Sequence, residues 1–104
     1  MIDTTVSPKN PSEAIVLTFD FTNGLLANEI LSGSPTVTVA TAFGTDASPT
    51  SILNGASSID STGRMVLVPV QAGLDGCDYE VKVVVPTNNI KKTLALIAIL
   101  PVRK

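Results

Sequence analysis

Histidine and tryptophan are both missing from the 104 residues, and cysteine occurs once, at Cys77. Without histidine, His-dependent catalytic triads are excluded, and a single thiol completes neither a zinc centre nor an internal disulfide. One cysteine is consistent with synthesis in a reducing compartment. Aromatic residues make up only 4% of the chain, as three Phe and one Tyr, so a sugar-binding platform is poorly supported. Charged residues are also scarce, at 15% against the roughly 25% usual in soluble domains. Such low charge has two readings, a surface partly covered by a partner or one rich in Thr and Ser. The longest apolar run, Leu94 to Leu100, falls far short of the roughly 20 residues that span a bilayer. The opening Met-Ile-Asp-Thr-Thr-Val has neither the basic nor the apolar region of a signal peptide. No Gly-rich phosphate loop leads into a helix. Cofactor, small-molecule substrate and membrane are therefore not expected.

What charge there is lies unevenly. Residues 1–80 hold nine acids against two bases, a net −7, whereas residues 81–104 hold five bases and no acid, a net +5. Chance in a small sample is one account. The other is a polar molecule whose basic end, Lys91, Lys92, Arg103 and Lys104, meets an acidic surface such as a neighbouring copy. Nucleic acid is not expected, because the net charge is −2 and no basic patch is interleaved with aromatics.

Alternating, β-branched stretches recur about every ten residues between turn signals, with no helical period, in one domain. Residues 1–12, with Pro8 and Pro11, read as an extended arm in which Ile2 to Val6 can lie along a sheet edge. The domain proper is 13–104. Its strands are expected at 13–22, 36–43, 64–70, 79–85 and 92–102, with a short one at Ile52–Leu53. Leu25 to Leu31 is either a short strand or one helical turn. Pro69 confines its strand to an edge or to a place that needs no donor. Residues 57–63 read as loop, and Thr87-Asn88-Asn89 as a hairpin turn. The expected fold class is all-β, an immunoglobulin-like antiparallel sandwich of about seven strands with an extended N-terminal arm.

The stretch from Ala72 to Val85 organises the rest. Gly73 and Asp75-Gly76 form a turn, and Tyr79, Val81, Val83 and Val85 then share one face of a strand. An Asp four residues before a Tyr that opens such a strand resembles the tyrosine corner of immunoglobulin-like domains. There the ring enters the core and the hydroxyl bonds to nearby backbone. Val81 stands where a disulfide version would carry Cys. The last strand breaks the two-faced pattern: Leu94, Leu96, Ala98 and Leu100 suit a core, yet Ala95, Ile97 and Ile99 opposite them are apolar as well. Either the chain's own arm or the 25–31 segment covers that second face, or another molecule does.

Among polar candidates, Asp75, Asp78 and Glu80 cluster but lack the spacing of a calcium loop, and a turn with a solvent face explains them better. Asp20, between Phe19 and Phe21, points away from the core in a strand. Cys77 sits among acids, which disfavour a reactive thiolate.

Taken in order, the residues resemble a known family. They are Lys9-x-Pro11-x-Glu13, Phe19-Asp20-Phe21-Thr22, Leu25-x-x-x-Glu29, Val37-x-Val39, Gly44-x-Asp46, Ile52-Leu53-x-Gly55, Gly73-x-Asp75-Gly76-x-x-Tyr79 and Leu100-Pro101-Val102. The pattern is similar to that of the fiber–tail adaptors of tailed bacteriophages, small β-sandwich virion proteins. Two departures stand out: Ala72 in place of a second Gly before the Asp-Gly turn, and no Gly in Thr87-Asn88-Asn89-Ile90. The resemblance implies a structural protein, not an enzyme, made in the bacterial cytoplasm and residing in the virion tail or neck. Several copies would dock on a tail-tube, adaptor or portal–neck component and hold a tail fiber or neighbouring tail protein. The rival class is a non-viral immunoglobulin-like binding or adhesion module. For either, the expected contact residues are Ile2, Val6, Ile97 and Ile99, with Lys91, Lys92, Arg103 and Lys104 around them.

Overall fold

A computed structural model describes residues 8–104 in full, together with the backbone of Ile2–Thr5. The chain is all-β, with strands β1 (Ile2–Thr5), β2 (Ile15–Asp20), β3 (Thr36–Phe43), β4 (Ser58–Ile59), β5 (Met65–Val70), β6 (Asp78–Pro86) and β7 (Thr93–Pro101). They form a four-stranded sheet in the order β1-β7-β6-β3 and a three-stranded sheet in the order β2-β5-β4. Every pairing is antiparallel except β1 on β7, which is parallel.

Alternation decides which side chains meet. In β6, Tyr79, Val81, Val83 and Val85 are fully buried, and the register sets Leu100, Ala98, Leu96 and Leu94 of β7 opposite them. Leu17 and Phe19 of β2, with Val66, Val68 and Val70 of β5, supply the other side of the same core. Each fully buried valine contributes on the order of 1.5–3 kcal/mol through removal from water. A one-residue slip in any strand would reverse its faces, so this apolar set fixes the register.

Several local expectations are corrected. Ile52 ends a short 3-10 turn, Pro49–Ile52, because Pro49 suits a helical first position, and only Leu53 makes a bridge, to Val70. The stretch read as loop at 57–63 contains β4, whose two residues are too few to show alternation. Leu25 to Leu31 forms no strand: it holds one hydrogen-bonded turn, Glu29 N–H to Leu26 O (3.0 Å), and a single bridge from Leu31 to Thr87, with Leu25 and Leu31 buried in the core. Pro69 lies in the middle strand of its sheet. However, β4 reaches only Val66 and Leu67; beside Pro69 the 52–54 segment makes a single bridge, in which Asn54 N–H donates to Pro69 O (3.0 Å) and no Pro69 donor is used.

The arm also joins the body earlier than residue 13. Lys9 is only 1% exposed and forms a parallel bridge with Val102. Its backbone N–H donates to Pro101 O (2.9 Å), and its carbonyl accepts from Arg103 N–H (2.8 Å). The ammonium donates to the carbonyls of Asn10 (2.9 Å) and Ala72 (2.5 Å). Burial lowers the Lys9 pKa, and Glu13 partly offsets this. A lysine can be buried here because its stem is apolar and its head meets carbonyl acceptors. Residues around Lys9 are thus part of the sheet edge.

Candidate interaction site

Two polar nodes clamp opposite ends of the β6–β7 ladder. At the Asp78 end, the buried Tyr79 hydroxyl accepts from Leu74 N–H (2.9 Å) and donates to Asp46 Oδ2 (2.6 Å). Burial first, then the Asp46 carboxylate, pushes the phenol up to about 12, while the phenol's donation and Ser48 N–H hold Asp46 below its usual range. Gly73 must be glycine, because a Cβ there would lie 2.9 Å from Val102 Cγ2 and its φ is +94°. Gly44 is confined likewise against Cys77 Sγ, at 2.8 Å. Ala72 is the one described non-glycine residue with positive φ, at 53°, a conformation that glycine adopts without the Cβ penalty. The expected hydrogen bond between the Tyr79 hydroxyl and nearby backbone is present. Its carboxylate partner, Asp46, was legible only as part of Gly44-x-Asp46.

At the other end, Glu29 is buried and accepts from Leu26 N–H (2.9 Å), Lys92 Nζ (2.6 Å) and Asn89 Nδ2 (3.3 Å). The Leu26 N–H, followed by Lys92, lowers its pKa to about 2. The β6–β7 turn manages without glycine because the Thr87 hydroxyl accepts from Asn89 N–H (3.1 Å) and lies 3.0 Å from Lys92 O. Asn89 Oδ1 accepts from Lys91 N–H (3.1 Å). Side chains here supply turn bonds that a tighter loop would make with backbone.

The expected contact residues are dispersed. Ile97 and Ile99 lie half-buried on the outer face of the four-stranded sheet, opposite Lys82 and Glu80 in register, and outside the core. Lys91 and Lys92 sit at the turn end of β7 and Arg103 and Lys104 at its far end, about 30 Å away at the rise of a strand. Lys92 is matched by Glu29, and Arg103 by Asp78 at 2.6 Å. The basic segment therefore forms no single basic face, because acids from earlier in the sequence fold onto it. Val6 lies outside the described residues, and only the backbone of Ile2 is described, opposite Ile97.

The acidic candidates have structural work. Asp75 accepts from Lys104 N–H (2.8 Å), Asp78 pairs with Arg103, and Asp20 accepts from Thr22 N–H (2.9 Å) at an exposed position. Cys77 is buried, its sulfur 3.7 Å from Thr45 O. Among the described residues no group of three His, Cys, Asp or Glu side chains could hold a metal ion, and no helix is long and apolar enough to cross a membrane. Missed in the sequence were the ends of the molecule. Ile90 is 96% exposed at the tip of the β6–β7 turn and Leu26 is 68% exposed nearby, while Phe43 and Leu74 are exposed at the opposite end. A groove of about 440 Å³ also opens between the end of β2 and the start of β7.

Compared with protein-family models, with curated proteins and with solved structures, the chain finds no match. Exposed apolar residues thus stand at both ends, while Glu29, Asp46, Asp78 and Tyr79 are engaged within the fold.

Proposed function

We propose that the chain is a structural virion protein of a tailed bacteriophage, an adaptor that docks in several copies on the tail or neck and holds a tail fiber or neighbouring tail component. The observation that carries this reading is the outer face of the four-stranded sheet. There Ile97 and Ile99 lie outside the core beside Val84 and Ala95, with Lys82 as the exposed charge of β6. Such a face is dry enough to bury and polar enough to keep the free subunit soluble. Covering the remaining surface of each isoleucine would contribute about 1 kcal/mol, roughly half the value of burying one wholly.

The finer fold belongs to the same reading. Taking β1 to β7 as strands A to G gives sheets B-E-D and C-F-G, with A added beside G. Together with a tyrosine at the start of the sixth strand, this arrangement resembles an immunoglobulin-like sandwich. Because that fold serves many functions, it supports the adaptor role without deciding it.

The test is the double change Ile97→Ser with Ile99→Ser in the phage genome that encodes the chain. The purified variant should fold cooperatively, and virions assembled with it should lack the protein and the component it holds. Normal incorporation would refute the contact. Loss of folding would place both side chains in the domain's own core.

A further inference from the structure

Ile90 stands almost wholly in water at the tip of the β6–β7 turn. The turn is firmly held: Asn88 N–H donates to Ile30 O (3.0 Å), Ile30 N–H to Asn88 Oδ1 (3.2 Å), and Asn88 Nδ2 to Asn28 O (3.3 Å). Glu29 grips the same turn through Lys92 and Asn89. An isoleucine displayed on so constrained a loop loses little conformational freedom when it is captured. Exposed Lys91 follows it, and among the described residues the ion pair with Glu29 belongs to Lys92.

The nearby groove has the complementary chemistry. Phe21, Leu94 and Leu96 give it apolar walls, and Gly24 packs closely against Leu94, where a Cβ would lie only 3.2 Å from Leu94 Cδ1. Asp20 is the one ionisable lining residue, and its hydrogen bonds from Thr22 hold its carboxyl below the usual range. Around it stand Asp60 and Arg64, and the Arg64 guanidinium reaches toward the carbonyls of Leu26 (3.5 Å) and Ala27 (3.4 Å). The chain's own tip cannot fill this groove, since residues 28–30 hold the turn where Ile90 is exposed.

We infer that the groove receives the Ile90 tip of a second copy of the chain, with Lys91 of that tip pairing with Asp20 at the rim. Tip and groove are different patches at one end of the molecule. Two copies can exchange tips about a twofold axis, or each can pass its tip onward around a ring. The inference rests on the multi-copy reading above but uses a surface distinct from Ile97 and Ile99.

Sedimentation equilibrium of the full chain at increasing concentration provides the test. The parent should self-associate, and Ile90→Ser should weaken association about tenfold or more, as loss of one buried aliphatic side chain implies. Asp20→Lys should weaken it as well, and adding Lys91→Asp in the same chain should restore it. Because Ile90 and Asp20 are exposed, circular dichroism should find both variants folded; if Asp20→Lys is not, Ile90→Ser decides alone. On a Cys77→Ser background, copies carrying Ile90→Cys should form mixed disulfides with copies carrying Asn23→Cys. A parent that stays monomeric, an Ile90→Ser variant that associates like the parent, or links only from tip to tip would each overturn the inference. Self-association lost in Ile97→Ser with Ile99→Ser but kept in Ile90→Ser would assign copy pairing to the sheet face instead.

Discussion

Tyr79→Phe removes one oxygen from a ring that has no exposed surface. That oxygen joins three elements: the 71–77 turn through Leu74 N–H, the loop after β3 through Asp46, and β6, which carries the ring. Deleting it leaves Leu74 N–H and the Asp46 carboxylate without their partner, but both residues lie close enough to solvent for water to compensate in part. The expected loss is therefore about 1–2 kcal/mol, within the range of a hydrogen bond with one charged member. Tyr79→Ala, which also empties a core site, should cost about 3–5 kcal/mol. Urea midpoints at unchanged slope measure both. A second assay uses the composition: with one tyrosine and no tryptophan, phenolate absorbance reports Tyr79 alone. The folded phenol is pushed up to about 12, against about 10 for an unfolded tyrosine. The fold thus favours the protonated phenol, and this stability is complete below about pH 10 and lost as pH rises toward 12. Asp46→Asn should bring the folded titration down toward the ordinary value. A Tyr79→Phe variant with the parent's midpoint, or a folded phenol that titrates near 10, would refute the Tyr79 hydroxyl as a structural clamp.

Two further outcomes follow from the same frame. Ala72→Gly should raise stability by a few tenths to about 1 kcal/mol, since relief at φ 53° exceeds the added freedom of the unfolded chain; a fall in melting temperature would show that this backbone is unstrained. Glu29 is held down to about 2, so the stability it confers is present above its ordinary carboxylate range and lost as pH falls toward 2. Glu29→Gln should be less stable than the parent at neutral pH, and the gap should close on acidification through that window; a gap constant with pH would place the effect outside ionisation.

Much of the fold was readable because period-2 alternation is a local signal. β3 runs over the expected Thr36–Phe43, and β6 buries Tyr79, Val81, Val83 and Val85 as their spacing required. The bond from Leu74 N–H to the Tyr79 hydroxyl was equally local, since the two residues are five apart. What sequence alone could not fix were partnerships between distant segments. Asp46 with Tyr79, Glu29 with Lys92 and Lys9 with Ala72 are 33, 63 and 63 residues apart. Only the stacking of strands brings them together, and it also divides a basic C-terminal segment between two ends and neutralises half of its expected contact charges. Nor does alternation mark exposed apolar tips, because Ile90 lies in a turn with no period to break. The strand pattern was written in neighbouring residues, and the polar clamps, the groove and the exposed ends exist only because tertiary structure closes the long loops between them.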